Sequence, residues 1–193
     1  MCVERTRLLI LDLDETLIYA TEHLLDRPAD LRIENYYIYC RPYLAEFLSD
    51  CCRIFDIAFW TTGSRSYAEL IVGAILPPPC SAKFIWAADE CSLLYDEELD
   101  DYVLRKDLHE VTHQGYGLQD VLVVDDRPQA LKNAFHNLLR VRPFRGDRDD
   151  IELYLLVQYL REVGEVDNIQ GLKKREWRSV ALKLEDGGAL GGE

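Results

Sequence analysis

The chain is expected to fold as an α/β domain on a doubly wound, mainly parallel sheet, with small inserts near one end of its strands. Three observations predict this. Apolar runs recur that are too continuous for a half-exposed strand, helical patterning lies between them, and polar or acidic residues follow each run at once.

Residues 7–13 open the pattern as a nearly unbroken apolar run, the mark of a strand covered on both faces, and it stops at acidic residues. Residues 54–60, 121–124 and, more briefly, 138–141 repeat the design. Helical stretches at 42–52, 66–76 and 128–135 lie between them, so the alternation implies right-handed βαβ units with helices on both sides of the sheet. Two stretches interrupt it. Within 23–40, Leu31-Arg32-Ile33 and Tyr36-Tyr37-Ile38-Tyr39 read as a small hairpin, and 83–103 is a mixed aromatic and acidic segment. Apolar residues at helical spacing over 151–163 close the unit. One domain is therefore expected over 1–170, with inserts at 23–40 and 83–103. Residues 171–193 read as a polar, flexible tail whose last ~10 to 15 residues are disordered.

Composition narrows the function. With 48% hydrophobic residues among 193, the chain can bury a core of its own. Its formal charge of −13, from 35 acidic against 22 basic residues, is set against a broad nucleic-acid-binding surface. No apolar run approaches the roughly 20 residues of a membrane-spanning helix. The start, Met1-Cys2-Val3-Glu4-Arg5, lacks the layout of a secretory signal, so a cytoplasmic protein with no membrane partner is expected. Its six cysteines form no CxxC pair, which gives zinc no support and favours reduced thiols.

In open α/β sheets the ligand lies beyond the carboxyl ends of the strands, so chemistry is sought just after each apolar run. Those places hold Asp12-Leu13-Asp14-Glu15-Thr16, Thr61-Thr62-Gly63-Ser64 and Asp125-Asp126-Arg127-Pro128. Asp12 and Asp14 are expected to meet in one pocket. One carboxylate can attack phosphorus and form an aspartyl-phosphate, and a second can protonate the departing oxygen and later take a proton from water. The collected negative charge calls for a hard cation with oxygen ligands, to which Asp126 and Asp125 add donors. Thr61, with Thr62 beside it, and the ammonium of Lys106 suit the remaining phosphate oxygens. Each feature alone has a plainer reading. Asp12 and Asp14 could cap a turn, Asp125-Asp126-Arg127-Pro128 could start a helix, Thr61 could be a turn residue and Lys106 a surface charge. Their occurrence at successive strand ends outweighs those readings. His23, His109, His113 and His136 lie outside the set and are given no catalytic part.

Asp12-Leu13-Asp14-Glu15-Thr16-Leu17 resembles the DxDxT signature of the haloacid dehalogenase-like phosphatases. The chain further resembles the NLI-interacting factor-like branch, small phosphatases that act on the C-terminal tail of RNA polymerase II and related phosphoproteins. Tyr39-Cys40-Arg41-Pro42 with Glu46-Phe47-Leu48, the stretch from Trp60 through Thr61-Thr62-Gly63-Ser64-Arg65-Ser66-Tyr67 to Ala68, Lys106-Asp107-Leu108, and Val124-Asp125-Asp126-Arg127-Pro128 carry the likeness in order. The resemblance implies that Asp12 is nucleophile and magnesium ligand. Asp14 would be general acid/base and a ligand through its main-chain carbonyl, and Asp126 a further ligand. Thr61, Thr62 and Lys106 would bind phosphate, with Asp125 and Thr16 in support. It implies Mg2+ as cofactor and phosphoserine or phosphothreonine in protein as substrate. Phosphorylated nucleic-acid ends or small metabolites stand as the alternative, and a catalytically inactive module that binds a phosphoprotein comes third. The segment 89–101 carries seven acidic residues and no Arg or Lys, and is expected to hinder a multiply phosphorylated acidic peptide.

Overall fold

The computed structural model describes residues 7–97, 100–131, 136–164, 166, 169, 172 and 174–185. In chain order the strands are β1 (Leu8–Leu11), β2 (Ile18–Thr21), β3 (Leu31–Ile33), β4 (Tyr36–Cys40), β5 (Asp56–Trp60), β6 (Ala82–Trp86), β7 (Ser92–Asp96), β8 (Asp101–Arg105), β9 (Val121–Asp125) and β10 (Leu138–Arg140). The α-helices are α1 (Leu44–Ile54), α2 (Arg65–Ile75), α3 (Glu152–Gly164) and α4 (Trp177–Glu185).

The first apolar run becomes β1, wholly buried at the centre of a five-stranded sheet of order β10-β9-β1-β5-β6. Every pairing in it is parallel, with Leu11 opposite both Phe59 and Val124. Because side chains alternate along a strand, Leu9, Leu11, Ile57, Phe59, Leu122 and Val124 face one layer, with Phe47, Ile71, Leu156 and Leu160 from the helices. Leu8, Ile10, Ala58, Trp60, Val121 and Val123 face the other, covered by Leu108, Val111 and Leu131 from short 3₁₀ segments and turns. This two-sided cover is why the central strands read as continuous apolar runs.

After β1 the chain goes on to β5 and β6 on one side and returns to β9 and β10 on the other. The order therefore reverses at β1, and the crevice at that switch point opens above Asp12.

Around this sheet the expected hairpin is present as β3 and β4, joined by β2 into a small antiparallel sheet of order β2-β4-β3. Three expectations are corrected. The segment expected to interrupt the alternation from residue 83 begins with β6, an edge strand of the main sheet, and only β7 and β8 behind it form a separate hairpin. The helix expected over 128–135 starts instead with a 3₁₀ turn at Pro128–Ala130, and 132–135 lie outside the described residues. The polar stretch after residue 171 contains α4, which buries Trp177 and Ala181 against α3; spaced four apart, these lie on one face of the helix, with Arg178, Lys183 and Glu185 elsewhere along it. Of the final ~10 to 15 residues expected to be disordered, those up to Glu185 belong to α4, and 186–193 lie outside the described residues.

Candidate active site

Asp12 leaves the end of β1 with its main-chain N–H donated to the Val124 carbonyl (3.0 Å), so the chain is still held in sheet geometry at that point. The residues beyond it fold back tightly. Leu13 O accepts from the N–H groups of Leu17 (2.8 Å) and Ile18 (3.1 Å), and Glu15 takes a left-handed φ of 57°. Leu13 points into the core at 0% exposure, which leaves Asp12 and Asp14 free to line the crevice. Two residues apart, they share a face of the extended chain.

Lys106 follows β8 and is pinned by its N–H to the Ala130 carbonyl (2.8 Å). Its ammonium reaches Asp12 Oδ1 at 2.7 Å and Asp125 Oδ2 at 2.6 Å, and all three side chains are essentially out of solvent. Burial raises the Asp12 carboxyl above the usual carboxylate range, and Lys106 pulls against that shift. For Lys106 itself burial disfavours the charge, but the two carboxylates outweigh it and hold the ammonium protonated.

The other oxygen, Asp12 Oδ2, is buried and has no hydrogen-bond partner among the described residues. A buried carboxylate oxygen left open is costly unless something else completes it. Asp12, Asp125 and Asp126 each offer an oxygen within 4.8 Å of the others, an all-oxygen set that fits a hard divalent ion. Thr16 Oγ1 donates to Asp126 Oδ1 at 3.4 Å, and the Asp125 Oδ1 atom accepts from the Arg127 N–H at 2.8 Å, which fixes the turn between them.

Beside β1, Thr61 leaves β5 with its N–H on the Trp86 carbonyl (3.0 Å) and its hydroxyl accepting from the Gly63 N–H (3.1 Å). A Cβ added at Gly63 would stand 3.2 Å from the Tyr67 ring, so a larger residue here would push on the ring that reaches Asp14. Thr62 lies at the rim and accepts from Arg127 Nη2 (2.9 Å), bridging the β5 and β9 loops. Every residue singled out in the sequence thus sits at the carboxyl end of the sheet, with Lys106, Asp12 and Asp125 in direct contact and Thr62 held at the margin.

Two residues belong to the sequence motifs without being assigned a part in the site by them. Ser64 caps α2 by accepting from the Tyr67 N–H (3.3 Å), and this puts Tyr67 on the first turn, where its hydroxyl donates to Asp14 Oδ1 at 2.7 Å. Burial raises the Asp14 carboxyl and the Tyr67 bond opposes that rise. Arg41 is buried below the Asp12 turn. Its guanidinium forks onto Asp150 (2.9 and 2.8 Å) and also donates to Thr16 O and Arg142 O, both at 2.9 Å. It ties the acidic turn to the start of α3. An Arg-Pro step after an apolar strand is its only signal in the sequence.

Comparison with known proteins places this geometry. The family model described as NLI interacting factor-like phosphatase matches residues 7–170. CTD small phosphatase-like protein 2 of Dictyostelium discoideum is 26% identical over 84% of this chain and 28% of its own length. Ubiquitin-like domain-containing CTD phosphatase 1 of Danio rerio is 26% identical over 93% of this chain and 57% of its own length. The chain therefore spans less than two thirds of the length of either relative. A solved structure of Fcp1, described as an essential RNA polymerase II CTD phosphatase, superposes with a TM-score of 0.57 at 22% identity, over 94% of this chain and 50% of that one, which supports the fold.

Proposed function

Because the chain belongs to the NLI interacting factor-like phosphatase family, we propose that it hydrolyses phosphomonoesters through an aspartyl-phosphate on Asp12, with phosphoserine or phosphothreonine in protein as its substrate. The observation that carries this reading is the asymmetry of Asp12. One oxygen is fixed on Lys106 and the other is buried with no hydrogen-bond partner among the described residues.

In the first step Asp12 Oδ2 attacks phosphorus and the ester P–O bond breaks. The departing oxygen takes a proton from the Asp14 carboxyl, whose upward shift through burial helps it carry one. In the second step Asp14, now ionised, takes a proton from water, the water oxygen attacks phosphorus and the Asp12 O–P bond breaks to release phosphate. Lys106 and the Thr61 hydroxyl supply positive charge and a hydrogen bond to the transferring group, and Tyr67 keeps Asp14 from swinging away. Asp12, Asp126 and the Asp14 carbonyl would hold Mg2+, with Asp125 in support; the bound ion supplies charge neutralisation and polarises the phosphoryl group.

The reading is tested by phosphate release from p-nitrophenyl phosphate with magnesium titrated in after EDTA treatment. Activity should rise with magnesium, and Asp126→Ala should need on the order of tenfold more of the ion, as an outer or inner ligand loss typically does. Superimposable titrations for the variant and the wild type would remove Asp126 from the metal site. Tyr67→Phe deletes a single hydrogen bond and should lower kcat about fivefold with KM little changed; an unaltered kcat would reduce Tyr67 to packing.

Phosphopeptides, phosphorylated oligonucleotide ends and small phosphate esters compared by kcat/KM would decide among the substrate classes. Among the described residues no helix is long and apolar enough to cross a membrane. The free cysteines Cys40, Cys51, Cys52, Cys80 and Cys91 suit a reducing compartment, and we place the protein in the cytoplasm on that ground.

A further inference from the structure

Beside edge strand β10 lies a cavity of about 470 Å³ lined by Pro128, Leu138, Arg140, Lys174, Arg175 and Arg178. Among the described residues, four of its six lining side chains are cations and none is a carboxylate, in a chain whose formal charge is −13. The charges are only partly answered. Arg178 pairs with Glu152, its Nε at 3.0 Å from Oε2. Arg140 spends its Nε on the main-chain carbonyl of Asp126 (3.3 Å). The Lys174 ammonium meets the Ile169 carbonyl although the residue is only 5% exposed, and burial pushes it down to about 8. Among the described residues one carboxylate answers these four cations, and a buried ammonium held on a carbonyl gains from an incoming anion.

The cavity is close to the reacting carboxylates. Arg140 pairs in register with Asp125, and its side chain rests on Asp126. With strands about 4.8 Å apart, the β10 edge is two strands, or roughly 10 Å, from Asp12. An extended peptide covers that distance in about three residues. The space is large enough for a phosphate group carried on a peptide side chain.

The geometry points to a second phosphate-binding site, formed by Arg140, Lys174, Arg175 and Arg178, that holds a phosphate of the same phosphoprotein substrate a few residues from the one being hydrolysed. This rests on the phosphatase reading given above and narrows its substrate to multiply phosphorylated segments. It also revises the expectation that the acidic stretch 89–101 works against such peptides. That stretch leads into and through the β7–β8 hairpin, whereas these cations gather at β10, so the two charges meet different parts of a substrate.

The test is calorimetric binding to the full chain carrying Asp12→Asn, which prevents turnover. The probes are peptides with one phosphoserine, and with a second one placed two to five residues away on either side. At one spacing the doubly phosphorylated peptide should bind about tenfold more tightly, as charge-assisted bonds to a second phosphate allow. Adding Arg175→Gln should bring the ratio of the two affinities close to one. Arg175 is exposed, so its replacement should leave the fold intact, and Arg140→Gln provides an independent second variant.

Equal affinity for singly and doubly phosphorylated peptides at every spacing, or a ratio indifferent to both variants, would overturn the site. Arg175-dependent binding of inorganic phosphate without any gain for the second phosphoserine would reassign the cavity to free phosphate. A 5′-phosphorylated oligonucleotide that depends on Arg175 more than the peptides do would reassign it to nucleic acid. Because binding is read without turnover, the two readings separate. A spacing-dependent gain in a protein inert toward p-nitrophenyl phosphate keeps the site and sinks the hydrolase, and the reverse pattern does the opposite.

Discussion

Asp12→Asn is expected to remove phosphate release from p-nitrophenyl phosphate altogether, a loss of at least about 10⁴-fold, together with any covalently bound phosphate. The amide has the volume of the carboxylate and keeps an oxygen for Lys106, which also retains Asp125. The fold should therefore survive. What disappears is the open Oδ2, the atom placed to attack. An amide nitrogen there has its lone pair delocalised into the carbonyl and cannot form the acyl phosphate. Steady-state rates and intact-protein mass spectrometry after acid quenching check both halves. Turnover within tenfold of wild type in a variant with an unchanged melting temperature would move the nucleophile to another residue.

Much of this arrangement is readable in the chain, because burial on two faces leaves a plain mark. Leu8 to Leu11 and Val121 to Val124 are apolar without interruption since each has a layer on either side. The chemistry sits where such runs stop, and Asp12, Thr61 and Asp125 follow from that rule alone. Lys106 is less secure by position, because β8 before it is half exposed and belongs to no main-sheet run.

What the chain conceals has physical causes too. β6 is an edge strand with Lys83 exposed, so Ala82 to Trp86 show neither the unbroken run of a central strand nor a clean alternation. α4 has nine residues, and its buried stripe of Trp177 and Ala181 is about one turn long, too short to establish a helical period in the sequence. Tyr67 and Asp14 are 53 residues apart, and Arg41 and Asp150 109 apart. No local pattern foretells such contacts; they exist because the sheet has already brought the strand ends together. The cavity at β10 is of the same kind. Lys174, Arg175 and Arg178 read as a charged, flexible tail until α4 docks and sets them beside Arg140.

Lys106→Met tests whether the buried cation serves the fold and the chemistry at once. The substitution keeps an unbranched chain of similar length but leaves Asp12 and Asp125 facing each other with no positive charge between them. Breaking a buried pair in this way typically costs about 3–5 kcal/mol, which for a domain of this size lowers Tm by on the order of 10 °C. Activity should fall by roughly 10³-fold, the scale of losing a fixed cation at a transferring phosphoryl group. The pH dependence has a definite sign. Burial carries the Asp12 carboxyl from 3.8 to about 7 even with Lys106 pulling against it. Between those values the folded chain keeps a proton that the unfolded chain has released, so stability falls as pH rises through the window. Removing Lys106 takes away the opposing pull and raises the carboxyl further, so metal-free variant protein should go on losing stability above about pH 7, where the wild-type dependence levels off. Magnesium, able to answer the same carboxylates, should restore more of the lost Tm in the variant than it adds to wild type. Thermal unfolding across pH, with and without the ion, separates the terms. A variant as stable as wild type at neutral pH without metal would mean that Asp12 and Asp125 do not share their charge with Lys106, and the asymmetry on which attack by Asp12 depends would lose its cause.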